Sequence, residues 1–265
     1  MVYLKSQRKY QEKALSNNAT ASLELPEAGL LSAIQIAFAA TNATSIQDNN
    51  KARIIDHLTA IEVTDGGTKK LFSLTGQQTK ALDFYVLGEV MQENASLYQA
   101  ITQRTTVVIP FGAYVGDPKH ALDLASFDQV NLDITNDATT ALWADQALTA
   151  DVQLITIQDL AAKPPGYYKS YQWKSEAPAA AAQHIYHKLP VSDRIRRVMC
   201  QLDPTIQTVG NTTAEMMSNS NNLKFTFGEG KEVVWDHRPR DLMRANSLVY
   251  GPARVTGKYF PSTTQ

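Results

Sequence analysis

The chain has 265 residues, of which 43% are apolar and 19% are charged, and its formal net charge is −1. This apolar fraction is enough for one large or two medium globular domains and excludes wholesale disorder. A near-neutral net charge lacks the electrostatic footprint of a nucleic-acid binder, so no specific nucleic acid is expected as a partner. The single cysteine excludes an internal disulfide. Cys200 lies in an apolar run and is predicted to be a small core residue.

Residues 1–22 are polar and modestly basic, without sustained periodicity, and they predict an N-terminal arm. The basic side chains of this arm could contact a membrane surface or a neighbouring protein; they are Lys5, Arg8, Lys9 and Lys13. The most apolar run, residues 29–40, is shorter than the ~20 residues that a membrane-spanning helix needs.

Alternation of apolar and polar residues predicts strands over most of the next part of the chain. Ile34, Ile36 and Phe38 alternate with polar or small neighbours, which favours a half-buried strand, although a helix remains open there. Residues 58–63 alternate in the same way and end at Asp65-Gly66, which predicts a hairpin with a returning strand at residues 70–74.

Residues 76–100 contain good helix formers with spaced apolar residues, and one or two helices are expected there. Strands are predicted again at residues 105–109, 130–134 and 152–157. Pro164-Pro165-Gly166 then breaks the pattern. Residues 161–182, rich in Tyr, Ser and Ala, are interpreted as a linker.

The pattern of the first part recurs after this linker, which predicts an internal duplication. An offset of 164 residues matches Leu25-Pro26 with Leu189-Pro190, and the same offset matches the pairs Leu31 with Ile195, Ile34 with Val198, Ile36 with Cys200, Phe38 with Leu202, Ile61 with Phe225, Val63 with Phe227 and Gly66 with Gly230. An offset of 163 then matches Leu71 with Val234, Tyr85 with Leu248 and Gly88 with Gly251. The predicted organisation is an arm at 1–22, a first β domain at 23–160, a linker at 161–182 and a second, partial β domain at 183–265.

Three stretches of the sequence carry a resemblance to a known family: Val63-Thr64-Asp65-Gly66; Ile109-Pro110-Phe111-Gly112 leading to Ala121-Leu122-Asp123-Leu124 and Phe127; and Leu189-Pro190 followed by Ile195 and Phe225-Thr226-Phe227-Gly228. With their tandem arrangement, they resemble the double jelly-roll major capsid proteins of adenovirus and of tailless, membrane-containing phages, especially the corticovirus-like ones. The resemblance implies an all-β chain of two tandem jelly-rolls with short helical inserts. It also implies homotrimers of pseudo-hexagonal outline that tile an icosahedral shell over a membrane.

No motif predicts a catalytic, cofactor-binding or metal site. The glycine-rich segments 66–70 and 228–231 do not fit a phosphate loop and are predicted to be hairpin turns. His184 and His187 are spaced for one helical face but are interpreted as a surface pair. An acidic tract and two basic groups are interpreted as solvated or ion-paired surface, with calcium and phosphate or lipid headgroups as the respective alternatives; they are Asp117, Asp123, Asp128, Asp133 and Asp137, then Arg194, Arg196 and Arg197, and Arg238, Arg240 and Arg244.

The sequence therefore predicts a non-enzymatic bacteriophage-type capsid protein, located in the virion. Its partners are expected to be further copies of itself, with minor capsid or vertex proteins and an internal membrane as further candidates. The alternative is a jelly-roll carbohydrate-binding module or phage receptor-binding protein, because the cluster Tyr167, Tyr168, Tyr171 and Trp173 could stack on sugars. These rings are instead expected to pack between the two domains. An enzyme on a β scaffold is a third possibility, since catalytic residues can converge only in three dimensions.

Overall fold

A computed structural model of the chain describes residues 3–43, 53–66, 69–88, 93–94, 100–138, 143, 148–158, 163–176, 185–190, 194–201, 223–227 and 231–250. The chain divides into two units, Met1–Ile185 and Tyr186–Gln265. Among the described residues, no helix has the length and apolar character to cross a membrane.

Most of the described elements are strands, which confirms the predicted all-β class. In the first unit they are β1 (Tyr3–Leu15), β2 (Ala19–Glu24), β3 (Leu30–Thr41), β4 (Leu58–Asp65), β5 (Lys69–Leu74), β6 (Glu93–Asn94), β7 (Thr102–Pro110), β8 (Leu122–Asp123), β9 (Val130–Asn136), β10 (Leu148–Gln158) and β11 (Ser170–Tyr171). The helices of this unit are α1 (Ile54–His57) and α2 (Gly76–Leu87), with a 3₁₀ turn at Leu124–Ser126. The second unit contains β12 (Leu223–Phe227), β13 (Glu232–His237) and α3 (Pro239–Tyr250).

The first unit is an eight-stranded jelly-roll. One sheet has the strand order β1-β10-β3-β7-β6, and the other has the order β11-β5-β4-β9-β2. When the eight main strands β1, β2, β3, β4, β5, β7, β9 and β10 are lettered B to I in chain order, the two sheets become B-I-D-G and C-H-E-F. This is the interleaved antiparallel order of a jelly-roll sandwich.

The core lies between the two sheets because about one residue in two along most of the main strands faces inward; β1, whose side chains are nearly all exposed, is the exception. β9 alternates strictly between buried and half-buried residues, and β10 does so over most of its length. The strand predicted around Ile34, Ile36 and Phe38 is confirmed, and these three side chains are fully buried together with Trp143. The alternation predicted from the sequence therefore corresponds to one face in the core and one face outside it.

The N-terminal segment differs from the sequence prediction. Residues 3–15, expected to be part of an arm, form an edge strand that pairs with β10 from Tyr3↔Gln158 to Leu15↔Leu148. β2 pairs with β9, and Leu15 and Leu23 are buried in the core. Strand β1 could not be predicted from the sequence because nearly all of its side chains are exposed, so that no buried face produces an alternating pattern.

The predicted hairpin and helix after β4 are present. β4 pairs with β5 in antiparallel register, and Gly66 follows β4 with a φ of 56°, a conformation that glycine adopts without strain. Helix α2 begins with a capping box in which Thr75 and Gln78 exchange hydrogen bonds, and it ends at the left-handed Gly88.

The second unit repeats this hairpin and helix. The ladder Ile61↔Leu74 to Asp65↔Lys69 of the first unit corresponds pair by pair to the ladder Leu223↔His237 to Phe227↔Glu232. Each ladder also has its irregularity between the third and fourth pairs, and α2 and α3 both have 12 residues and both begin two residues after the hairpin ends.

This correspondence corrects the sequence alignment in one strand. It confirms the offset of 163 for the second strand and the helix. In the first strand, however, Ile61 is equivalent to Leu223, which is an offset of 162. The sequence alignment had matched Ile61 with Phe225, at an offset of 164. The stretch 194–201, expected to match β3, contains no strand, so it provides no sheet face. Cys200, expected in the core, is exposed for this reason. Leu202 and Gly251 lie outside the described residues.

We predict that Gly76→Ala lowers the free energy of unfolding by about 1–3 kcal/mol, the usual cost of overpacking. A Cβ at this position would lie 2.7 Å from the carbonyl oxygen of Ile55 and 2.7 Å from the Cβ of Leu58, where α1 and β4 press against the start of α2. The measurement is urea denaturation, with Gly166→Ala as the matched control because its added Cβ meets nothing within 4 Å. Equal stability of the two variants would contradict this close packing.

Candidate interaction surfaces

The residues considered as catalytic or metal-binding candidates lie in separate places. Within the described part of the chain, no group of three or more His, Cys, Asp or Glu side chains is arranged to hold a metal ion. Gly66 lies in the β4–β5 turn, where its N–H donates to the carbonyl of Gln129. His184 and the turn residues 228–230 lie outside the described residues, and His187 is exposed.

The members of the acidic tract are distributed over the first unit, each with its own surroundings. Asp133 accepts a hydrogen bond from the Thr64 hydroxyl, and Asp137 lies 2.8 Å from Nδ1 of the nearly buried His57. Asp123 is paired with Lys163, whose hydrogen bond lowers the pKa of the Asp123 carboxyl. Asp128 is exposed on the surface. The tract therefore forms a set of local structural contacts.

Asp117 organises the loop between β7 and β8. Its carboxylate accepts hydrogen bonds from the N–H groups of Ala113 and Lys119 and lies 3.0 Å from Nδ1 of His120. Burial opposes ionisation of Asp117, but these hydrogen bonds and the imidazole outweigh it and hold the pKa of the carboxyl below its usual range. The loop geometry is tight, because a Cβ at Gly112 would lie 2.7 Å from both the Asp117 Cβ and the His120 carbonyl oxygen.

Segment 163–173, here called the strap, packs against this loop. It also covers the free edge of β5. Ser170 and Tyr171 pair in parallel with Phe72 and Ser73, and the Gln172 N–H donates to the Ser73 carbonyl at 3.0 Å. The strap was expected to belong to a linker. It forms a strand because the outer edge of β5 offers backbone hydrogen bonds that a nearby extended segment can satisfy.

Further contacts fix the start of the strap against the β7–β8 loop. The Tyr168 N–H donates to the Phe111 carbonyl at 2.8 Å, and the Gly166 carbonyl accepts from Ala121. The Tyr168 ring stacks on His120 with 4.5 Å between ring centroids.

The aromatic cluster is therefore divided between the core and the surface. The Tyr167 ring packs edge-on against Phe111 and Phe127, and its burial, with the charge of Asp65, raises the pKa of the Tyr167 phenol. Tyr171 and Trp173 are each 40% exposed. Two of the four rings thus pack within the first unit, where the sequence had predicted packing between the two domains.

The opposite side of the sandwich ends in strands β1 and β2. The pairing of β1 with β10 is irregular around Arg8, Tyr10 and Lys13, and the Glu12 N–H donates to Asp151 instead of to a strand carbonyl. All four basic residues of this segment are exposed. Bulges and Lys-rich exposed strands discourage uncontrolled strand addition, so β1 has the features of a protected edge.

The second unit exposes several large apolar side chains on its hairpin and helix. Val233 and Val234 are about half exposed, and Leu248 and Val249 are 88% and 74% exposed. In the first unit, the position that corresponds to Val234 is Leu71, which is fully buried. Of the basic groups, Arg194 and Arg196 are exposed and Arg197 is half-buried, and the Arg238 carbonyl accepts hydrogen bonds at the start of α3. The side chains of Arg240 and Arg244 lie outside the described residues.

No protein-family model and no curated protein matches the chain. The solved structures similar to it include the STIV MCP, with 10% identity and a TM-score of 0.41 over 58% of this chain and 48% of that one. PBCV-1 VP54 has 16% identity and a TM-score of 0.44 over 59% and 42%. The major capsid protein P2 from bacteriophage PM2 has 9% identity and a TM-score of 0.42 over 61% and 52%. The chain therefore spans about half the length of each of them, and the jelly-roll stated above rests on the strand order of the first unit.

We predict that Tyr167→Ala loosens the strap. Loss of the contacts with Phe111 and Phe127 removes about 1–2 kcal/mol of aromatic packing, which corresponds to roughly tenfold faster local opening. The measurement is the rate of tryptic cleavage after Lys169 under native conditions. Trp173→Ala is the matched control, because it removes another aromatic ring of the strap, one that is 40% exposed, whereas the ring packed against Phe111 and Phe127 is that of Tyr167. Equal cleavage rates in the two variants would show that Tyr167 does not hold the strap.

Proposed function

We propose that the chain is a structural subunit of a virion capsid, a double jelly-roll major capsid protein that self-assembles as trimers of pseudo-hexagonal outline into an icosahedral shell. The observation that supports this most is the repetition of the β4–β5–α2 geometry in β12, β13 and α3, with the same pairing register and the same position of the irregularity. The capsid resemblance implies two tandem jelly-rolls, and the eight-stranded jelly-roll of the first unit is followed by a repeat of its hairpin and helix.

The treatment of the sheet edges in the first unit suits close packing of identical chains. A strand edge that is left open invites pairing with another chain. Here the β5 edge is covered by the strap, and β1 is irregular, exposed and basic. Contacts between neighbouring subunits are then left to side chains and loops, which can specify a closed arrangement.

The exposed apolar side chains of the second unit supply a surface for such contacts. Apolar groups of this size at neighbouring positions are typical of surfaces that become covered in an assembly. The occupant we propose is a further copy of the chain. In a trimer, two sandwiches from each chain would present six similar walls, which matches hexagonal packing.

The basic charge of β1 suggests further binding partners for a capsid subunit. The four exposed basic residues of β1 are suited to an anionic surface, either the headgroups of an internal membrane or acidic patches on neighbouring proteins. Minor capsid or vertex proteins are the protein partners that the capsid role would require. A non-enzymatic role fits the distribution of the titratable side chains described above, which take part in local structural contacts.

The experiment that tests the proposal is negative-stain electron microscopy of the purified full chain, combined with light scattering over a hundredfold range of concentration. We expect particles with three times the chain mass and a pseudo-hexagonal outline, and closed shells at the highest concentrations. A monomer at every concentration would contradict the proposal.

The second candidate, carbohydrate binding, is supported by the exposure of Tyr171 and Trp173 on the outer side of the strap. Exposed aromatic rings of this kind provide stacking surfaces for ligands. A glycan array distinguishes the two functions. Binding by a monomer that is lost in Trp173→Ala would favour this candidate over the capsid role, and trimers without glycan binding would exclude it.

A further inference from the structure

The outer edge of β7 is satisfied by two different kinds of partner. Its inner edge pairs with β3 along the whole strand, from Ala33↔Pro110 to Thr41↔Thr102. On the outer side, the short strand β6 pairs only with Arg104 and Thr105. Beyond this point, the carbonyl of Thr106 and the N–H of Val108 face helix α2.

Two side chains of α2 take the place of a strand at these backbone groups. The Lys80 ammonium donates to the carbonyl oxygen of Thr106 at 2.7 Å. The Val108 N–H donates to the carboxyl group of Asp83, with both oxygens at 3.0 Å. An antiparallel neighbour would supply the same combination, one donor for the carbonyl of residue 106 and one acceptor for the N–H of residue 108. The i, i+3 spacing places the two side chains on one face of the helix.

The contact between Asp83 and Val108 is buried, so the Val108 N–H needs an acceptor from the protein. Asp83 is 1% exposed and Val108 is 4% exposed, so water cannot easily replace the carboxyl group as the acceptor. Burial raises the pKa of Asp83 to about 8, against the opposing effects of the Val108 N–H and the Lys80 ammonium. Retaining an ionisable group at this position is costly to the fold, which indicates that its acceptor function matters.

The second unit provides an internal comparison. Helix α3 corresponds to α2 residue by residue at an offset of 163, yet Met243 and Asn246 occupy the positions of Lys80 and Asp83. The helix is thus repeated without this pair, so the pair is not a requirement of the helix itself.

We propose that Lys80 and Asp83 form a strand-mimicking cap that closes the β7 edge at residues 106–108 against strand addition by a second copy of this chain. The cap is a property of the isolated first unit and does not depend on shell formation. It explains why the sequence places two ionisable residues on the face of α2 that packs against a sheet edge.

The test compares Lys80→Met/Asp83→Leu with the matched control Lys119→Met/Asp128→Leu in the full chain, because both variants lose one Lys and one Asp and the control residues are exposed. We expect amide exchange of Val108 to become about tenfold faster in the first variant, as for a lost hydrogen bond. We also expect its mass by light scattering to rise with concentration beyond that of the wild type. Unchanged exchange at residues 106–108 would overturn the cap, and a wild-type mass despite faster exchange would overturn its role against strand addition.

If the double variant does not fold, Asp83→Asn keeps the proposal testable, because an amide oxygen can still accept from Val108. We expect this variant to fold, to protect the Val108 amide and to keep the wild-type mass. Loss of that protection in a folded Asp83→Asn would overturn the cap.

The pH dependence of the same variant gives a second readout. Asp83 has a folded-state pKa above its unfolded value, so the native state binds the extra proton and wild-type stability falls as the pH rises from about 4 to about 8. Asp83→Asn should remove this part of the slope, and an unchanged slope would show that Asp83 is not the buried acceptor. The other titratable or charged groups on α2 and the elements packed against it are Lys80, Tyr85, Asp56, His57, Glu62, Asp65 and Arg104.

Discussion

The pairing of the first strand with the last one is the constraint on which the first unit depends. β10 lies between β1 and β3, so that Tyr3 pairs with Gln158 and Ile34 pairs with Leu154 in the same sheet. Neither edge of β10 can be satisfied until the chain has traversed the whole sandwich. The buried faces of the other strands have no complete cover before that point, so the core forms late and through contacts between residues far apart in the sequence.

Strands could be predicted from the sequence where one of their two faces is buried. Strand β3 and the β4–β5 hairpin were predicted because each has a buried face or a glycine turn, and α2 because its residues favour a helix. β1 was missed because both of its faces are exposed, and β11 because two residues show no periodicity. Their positions depend on open edges of β10 and β5, which only the assembled sheets define. The sequence identified the residues of the acidic tract and of the aromatic cluster. It could not show which of them lie in the β7–β8 loop, in the core or on the strap, because that depends on the fold.

The error in the repeat alignment has the same origin. In a strand, a shift of two residues keeps every side chain on its own face, so a hydrophobic pattern cannot distinguish offsets of 162 and 164. The hairpin register can distinguish them, because it fixes which residues lie opposite each other across the turn. The helix matched correctly from sequence, since a shift of two residues in a helix rotates its apolar face away and would have been detected.

The two copies of the hairpin and helix show which properties are local and which depend on neighbours. Pairing register and helix length are the same in both copies. The helix starts differ: α2 begins with the Thr75 capping box, whereas at the start of α3 the carbonyl of Arg238 accepts backbone hydrogen bonds. Burial is not conserved, because Leu71 is fully buried and the corresponding Val234 is half exposed. Turn and strand sequence therefore determine the geometry of this element, while burial comes from whatever covers it. An element of this kind can contribute to a core within one chain or, in the assembly proposed above, to a contact between chains.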